Sequence, residues 1–253
     1  RWKEDSQQAA WLQERQHRIG KQSGRLYGSI DGVMAPCKGE WRELKNIAWY
    51  RVEPIHSYQK RRHHASQVGE QNDLQAEDIT YHCDIQTPDK FSALFWATAC
   101  QRKADLYSEL VFVCDGAVWI WKLIEHYFPH AVQIVDWYHA SEYLPPVAEA
   151  AFGRDTPEYH AWLDQARTQL WEGQIDALIH DCQLLNAIPL ATQAVHNAVT
   201  YFTNNQTRMD YARFRQLGYF IGSGTVESGG KQIAGLRLKR AGARWTETGA
   251  VAT

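Results

Sequence analysis

Leu110-Val-Phe-Val-Cys-Asp-Gly-Ala-Val-Trp-Ile-Trp121 (LVFVCDGAVWIW) decides how the chain is read. A short continuous apolar run ends in Asp115-Gly116, and apolar residues at helical spacing follow through Phe128. Continuous rather than alternating apolarity marks a strand buried on both faces. The pattern repeats at once: Ala131-Val-Gln-Ile-Val135 ends in Asp136 and leads into WYHASEYL. A buried strand that delivers an acid at its carboxyl end and then turns into a helix is how open α/β sheets build their sites.

Upstream, RLYGSIDGVMAPC (25–37) and EWRELKNIAWYRV (40–52) read as two strands joined at Lys38-Gly39. Asp31-Gly32 could itself be a hairpin turn, the commonest meaning of an Asp-Gly pair. β-compatible residues continue on both sides of it, so Lys38-Gly39 is the better turn. That leaves Asp31 inside a strand, where aspartate is disfavoured, and makes it a candidate for function. DITYHCDIQ (78–86) alternates as a third strand, and Pro88 starts a helix carrying FSALFWATACQRKA. The order is strand, strand, strand, helix, strand, helix, strand. It predicts an α/β fold of the ribonuclease H-like kind, with three antiparallel strands followed by alternating helix and strand. In that arrangement the first and fourth strands lie side by side at the sheet centre, which would bring Asp31 to Asp115.

The remaining segments divide on composition. Residues 1–24 read as an amphipathic helical lead-in, and 25–139 as the first part of the core. Residues 53–76 are polar and charged. Within them Lys60-Arg-Arg-His-His64 could touch phosphates, although a solvated loop is the better reading. Residues 140–218 read as an all-helical insertion, where Pro145-Pro146 breaks the chain and Thr156-Pro157 opens a helix. Tyr159, Trp162, Leu163, Ala166 and Leu170 share one face of that helix, and Gly173 ends it. Ile175, Leu178, Ile179, Cys182 and Leu185 form a second stripe; Pro189 starts a third helix through Phe202, and TNNQT (203–207) is a loop. Residues 219–253 return to the core as a final helix and a basic tail.

Bulk composition excludes several classes. With 253 residues, 44% hydrophobic and 22% charged, the chain is of ordinary globular type. No apolar run approaches the roughly 20 residues that span a bilayer, so no membrane partner is expected. The charged amino terminus shows no signal-peptide pattern. It does not begin with Met, which suggests a fragment or processed chain. Five scattered cysteines without a C-x-x-C pair suggest a reducing compartment and no cysteine-rich zinc site. The net charge of −2 means that any nucleic-acid affinity must come from local patches. The 11 tryptophans fit a heavy core better than base stacking.

One such patch is visible. Gly222-Ser-Gly-Thr-Val-Glu-Ser-Gly-Gly-Lys231 opens a helix with Glu227 in its first turn, and Arg237, Lys239, Arg240 and Arg244 follow with no acid between Ser228 and Thr246. A lone carboxylate beside a basic run makes sense where a metal ion meets a phosphodiester. Phosphodiester transfer needs two divalent ions about 3.5–4 Å apart. Magnesium takes hard oxygen ligands, so Asp31, Asp115 and Glu227 would suffice to hold it. Each has a plainer reading: Asp115 as N-cap of the next helix, Glu227 as complement to a helix dipole. The cations could be a solvated helix face or backbone contacts to DNA, and Lys231 lies four residues after Glu227 on the same helical face. Trp137 reads as core; Trp245 is balanced between core and stacking on an unpaired base. His139, three residues after Asp136, could be a base or a ligand, but a hydrogen-bonded structural role is the better reading.

Taken together, VFVCDGAVWIW, IVDWYHA and GSGTVESGGKQIAGLRLKRAGARW resemble the DDE transposases of bacterial insertion sequences, specifically the ISKra-type group related to Mutator-like transposases. The resemblance runs from about Tyr27 to the carboxyl end. It implies a ribonuclease H-like catalytic domain that cuts and joins DNA at element ends, with Asp31, Asp115 and Glu227 as the metal-binding triad. Mg²⁺ would be the cofactor, as two ions, with Mn²⁺ as substitute. It implies the Asp-x-x-His signature at Asp136 and His139 as supporting residues, and DNA contacts from Lys231, Arg237, Lys239, Arg240, Arg244 and Trp245. Partners would be element-end and target DNA, bound by a homo-oligomer in the bacterial cytoplasm at the nucleoid. The chain departs from the family pattern at Gly229-Gly230, each costing about 1 kcal/mol of helix propensity relative to Ala, and at Gly242-Ala-Arg-Trp245. The amino-terminal DNA-binding region of a complete transposase is not evident, which suggests a truncated or decayed chain. Two other functions remain open at this point: a structure-specific nuclease of the same fold without strand transfer, and an inactive DNA-binding remnant of a decayed element.

Overall fold

The computed structural model describes residues 22–37, 40–54 and 74–222. Among them the fold is α/β, with a five-stranded mixed sheet and helices. The strands are β1 (Gln22–Cys37), β2 (Glu40–Pro54), β3 (Leu74–Asp84), β4 (Tyr107–Cys114) and β5 (Val132–Val135). The helices are α1 (Pro88–Gln101), α2 (Val118–Tyr127), α3 (Trp137–Ser141), α4 (Leu144–Phe152), α5 (Pro157–Trp171), α6 (Ile175–Leu184), α7 (Thr192–Asn205) and α8 (Tyr211–Gln216).

The sheet order is β3-β2-β1-β4-β5, so the first and fourth strands are neighbours as expected. β1 runs antiparallel to β2 and parallel to β4, and β2 runs antiparallel to β3. Asp31 pairs with Asn46 and Gly32 with Lys45 inside the β1–β2 ladder, which removes the hairpin-turn reading of Asp-Gly. Cys37 pairs with Glu40 at the end of that ladder. Lys38-Gly39 itself lies outside the described residues, as do residues 1–21 of the lead-in and the basic stretch Lys60–His64; residues 22–24, expected to end the helical lead-in, open β1 as strand.

The chain divides into two units, 1–112 with 117–132 and 224–253, and 113–116 with 133–223. In the first unit, alternate residues of the central strands bury on opposite faces. On one face Trp49 stacks on Phe95 at 5.8 Å and meets Phe112 edge-on at 5.6 Å, and its indole N–H donates to Thr98 Oγ1 at 2.9 Å. Gly28 pairs with both Trp49 and Phe112, and a Cβ there would lie 2.5 Å from the Phe112 ring. On the other face Tyr27 stacks on Tyr50 at 5.5 Å, and Ser29 and Tyr50 share a 3.0 Å hydrogen bond. Burial on both sides explains the unbroken apolar run that ends β4. Asp31 comes next on the Tyr27–Ser29 face, where β1 passes from buried Ile30 to exposed Gly32.

The second unit is helical apart from the ends of β4 and β5. Contacts of α4 with α5 and α7, of α5 with α6 and of α6 with α7 bury Leu163, Ala166, Leu170, Leu178, Cys182, Ala198 and Phe202. Thr156 caps α5, accepting from the Tyr159 amide at 3.1 Å as expected. Three local expectations need correcting. Pro145-Pro146 sits in the first turn of α4 and starts a helix, because the missing N–H is costless there. The third helix begins at Thr192 rather than Pro189, and TNNQT continues it to Asn205 before a 3-10 turn over Gln206–Arg208. The third strand begins at Leu74, four residues before Asp78.

Cys37, Cys83, Cys100, Cys114 and Cys182 form no disulfide, and burial pushes the Cys182 thiol up to about 12, which favours its protonated form. Among the described residues no helix is long and apolar enough to cross a membrane.

Candidate active site

Asp31 is half-buried, and its Oδ1 accepts the N–H of Gly32 at 2.7 Å. Gly32 lies within the ladder opposite Lys45 rather than in a turn, and the exposed Glu43 side chain reaches over it. Its ladder partner Lys45 is buried, pairs with Glu43 at 2.5 Å and lies 5.5 Å above the Trp119 ring. The parallel β1–β4 register ends at Gly28 with Phe112. Asp31 lies three residues beyond Gly28 along its strand, and Asp115 lies three residues beyond Phe112.

Asp115 follows β4 and belongs to the second unit, and it is not a helix cap. The N-cap of α2 is Ala117, whose methyl side chain cannot accept a hydrogen bond. Instead the main-chain carbonyl of Asp115 accepts the Tyr201 hydroxyl at 2.7 Å. Tyr201 stacks on Tyr143, with centroids 3.9 Å apart and planes at 15°. Burial first, then Tyr143 and the Asp115 carboxylate, push the Tyr201 hydroxyl far above its ordinary value, so it remains a protonated donor. Tyr143 is raised for similar reasons: burial first, then Asp115 and Glu142.

Asp136 is the capping residue. It is fully buried, and its Oδ1 accepts the His139 amide at 2.8 Å. The Asp-x-x-His spacing is therefore N-cap to third-position geometry, made by the His139 main chain. The Asp136 amide donates to Cys114 O at 2.8 Å, the Tyr211 hydroxyl to Val135 O at 3.0 Å, and the Trp137 amide to Ile221 O at 3.1 Å. These bonds tie the end of β5 into the second unit. Trp137 is core, as expected, 5.4 Å edge-on from Trp171. Trp171 in turn lies under the Arg215 guanidinium at 4.0 Å.

Glu227, Lys231, Arg237, Lys239, Arg240, Arg244 and Trp245 lie outside the described residues. Among the described residues no group of three or more His, Cys, Asp or Glu side chains is arranged to hold a metal. The two described aspartates are hard oxygen donors of the kind a divalent ion takes. Tyr143, Tyr201 and Asn205 were not singled out from the sequence. Tyr201 falls at the end of a helix and Asn205 in a polar stretch read as a loop, and nothing local ties Tyr201 to an acid 86 residues earlier. No protein-family model matches the chain, and no curated protein matches it.

Proposed function

We propose that the chain is the ribonuclease H-like catalytic domain of a DDE transposase, of the ISKra-type group of bacterial insertion sequences. It would cut DNA at element ends and join the freed ends to target DNA. One observation carries the reading: β1 and β4 are parallel neighbours, and Asp31 and Asp115 stand at the same offset of three residues past their last paired positions. The strand order also agrees with that fold family. The donor chemistry fits the implied cofactor: the carboxylates of Asp31, Asp115 and Glu227 would hold Mg²⁺.

Bound there, the ions supply activation of the attacking oxygen and neutralise charge on the leaving oxygen. The chain's own part is to hold and orient. Asp31 is fixed by the β1–β2 ladder and by its own Gly32 amide. Asp115 is fixed through its carbonyl. Lys231, Arg237, Lys239, Arg240 and Arg244 would contact backbone phosphates, with Trp245 near the cut. Cleavage adds water to phosphorus and expels a 3′-hydroxyl. Joining adds that hydroxyl to a target phosphodiester and expels the target's own 3′-oxygen as a hydroxyl.

The test is Mg²⁺-dependent nicking and joining of a paired-end substrate. Asp31→Asn, Asp115→Asn and Glu227→Gln should each lower cleavage by at least about a hundredfold, on the scale of losing one charge-stabilising group. Undiminished cleavage in any one removes that residue from the site. Nicking without joined products would reduce the reading to a nuclease. No cleavage in either Mg²⁺ or Mn²⁺, with salt-sensitive DNA binding, would reduce it to a binding remnant.

A further inference from the structure

The turn Asp115-Gly116 is held by a helix far along the chain. Tyr201, near the end of α7, donates its hydroxyl to the Asp115 carbonyl at 2.7 Å. Gly116 has φ +97°, and a Cβ there would lie 2.9 Å from the Tyr201 ring, 3.0 Å from its hydroxyl and 3.2 Å from Asn205 Nδ2. The turn is therefore pressed against α7 as well as hydrogen-bonded to it. Asn205 is buried and donates to the Tyr201 carbonyl at 3.1 Å, which braces the last turn of the helix. The Tyr143 ring, stacked on Tyr201, fixes the plane of the phenol.

We propose that Tyr201 is a positioning residue for Asp115, setting where the carboxylate stands by anchoring its main chain from the helical segment. The inference rests on the metal-site reading of Asp115. An aspartate on a turn has two freedoms, its side-chain torsions and the path of its backbone. The Tyr201 bond and the Gly116 contact remove the second. Sites of this kind tolerate only about 0.5 Å of displacement, so an anchor on the backbone carries through to the ligand atom.

The probe is Mn²⁺ alone, titrated into the full chain and followed by loss of the free-ion electron paramagnetic resonance signal. Tyr201→Phe removes one oxygen and leaves both the ring stack and the Gly116 contact. It should weaken Mn²⁺ binding about fivefold, the scale of one net hydrogen bond. It should also lower kcat for cleavage by a similar factor with KM for DNA unchanged. Asn205→Ala, which loses the brace, should shift both in the same direction by less. Tyr159→Phe, elsewhere in the helical unit, should leave both unchanged. If Asp115→Asn abolishes Mn²⁺ binding while Tyr201→Phe and Asn205→Ala bind like wild type, the positioning role is wrong and the metal reading stands. If wild type binds no Mn²⁺, both fall together.

Discussion

Gly116 shows how much one residue can decide. Its φ of +97° is a conformation that L side chains rarely adopt, and the Tyr201 ring occupies the space a Cβ would need. Gly116→Ala should cost roughly 1–3 kcal/mol from the backbone conformation alone. The measurements are a thermal melt and the Mn²⁺ titration. An unchanged melting temperature would mean that the turn can relax away from Tyr201. Asp31 was legible from the sequence because an aspartate in a strand asks for a reason. Asp115 and Asp136 were equally visible, each at the end of an apolar run. What was not legible was which acid caps a helix. Two residues, Gly116 and Ala117, separate Asp115 from α2, whereas Asp136 directly precedes α3.

Elements were legible wherever apolar spacing was regular, as in β4, α2 and α5. β3 was placed too late because its ladder holds a bulge. Trp49 pairs with Thr80 and Arg51 with Glu77, so Asp78 and Ile79 together oppose Tyr50. Asp78 takes φ 52°, and the irregularity interrupts the alternation that marks a strand. A hydrogen bond from Arg102 at 2.8 Å holds Asp78 below the usual carboxylate range, and Arg51 adds to it. Four residues on, burial and then Arg102 lower the imidazole of His82 from its ordinary value of 6.5. The two signs agree. For His82 the unfolded chain takes the proton more readily, so stability is present above about pH 6.5 and falls as pH drops through it. For Asp78 the contribution is present above its ordinary value of 3.8 and is lost as pH falls through its lowered folded value. The melting temperature should therefore fall between about pH 8 and about pH 5, and His82→Gln should flatten that fall. An unchanged slope in the variant would exclude His82 as its source. In the helical unit, Thr156→Ala removes the cap of α5. A loss of about 1 kcal/mol is expected, or roughly 2–4 °C in a thermal melt. No loss would show that another group satisfies the Tyr159 amide.

Across the whole molecule, the order of elements was readable because each strand of the sheet has its own pattern. β1 and β2 carry β-compatible residues up to Cys37 and from Glu40, and β4 and β5 close on apolar residues that each lead into an acid. The adjacency of β1 and β4 follows from that order. The role of the helical segment in holding Asp115 does not, since it depends on a contact 86 residues apart that no local spacing encodes. The central claim is that Asp31 and Asp115 share a metal ion used on DNA. Crystals of the full chain soaked in Mn²⁺, with anomalous diffraction recorded, address it without any assay of activity. An anomalous peak in direct contact with carboxylate oxygens of both Asp31 and Asp115 is expected. Well-ordered aspartates with Mn²⁺ bound elsewhere, or to neither of them, would contradict it.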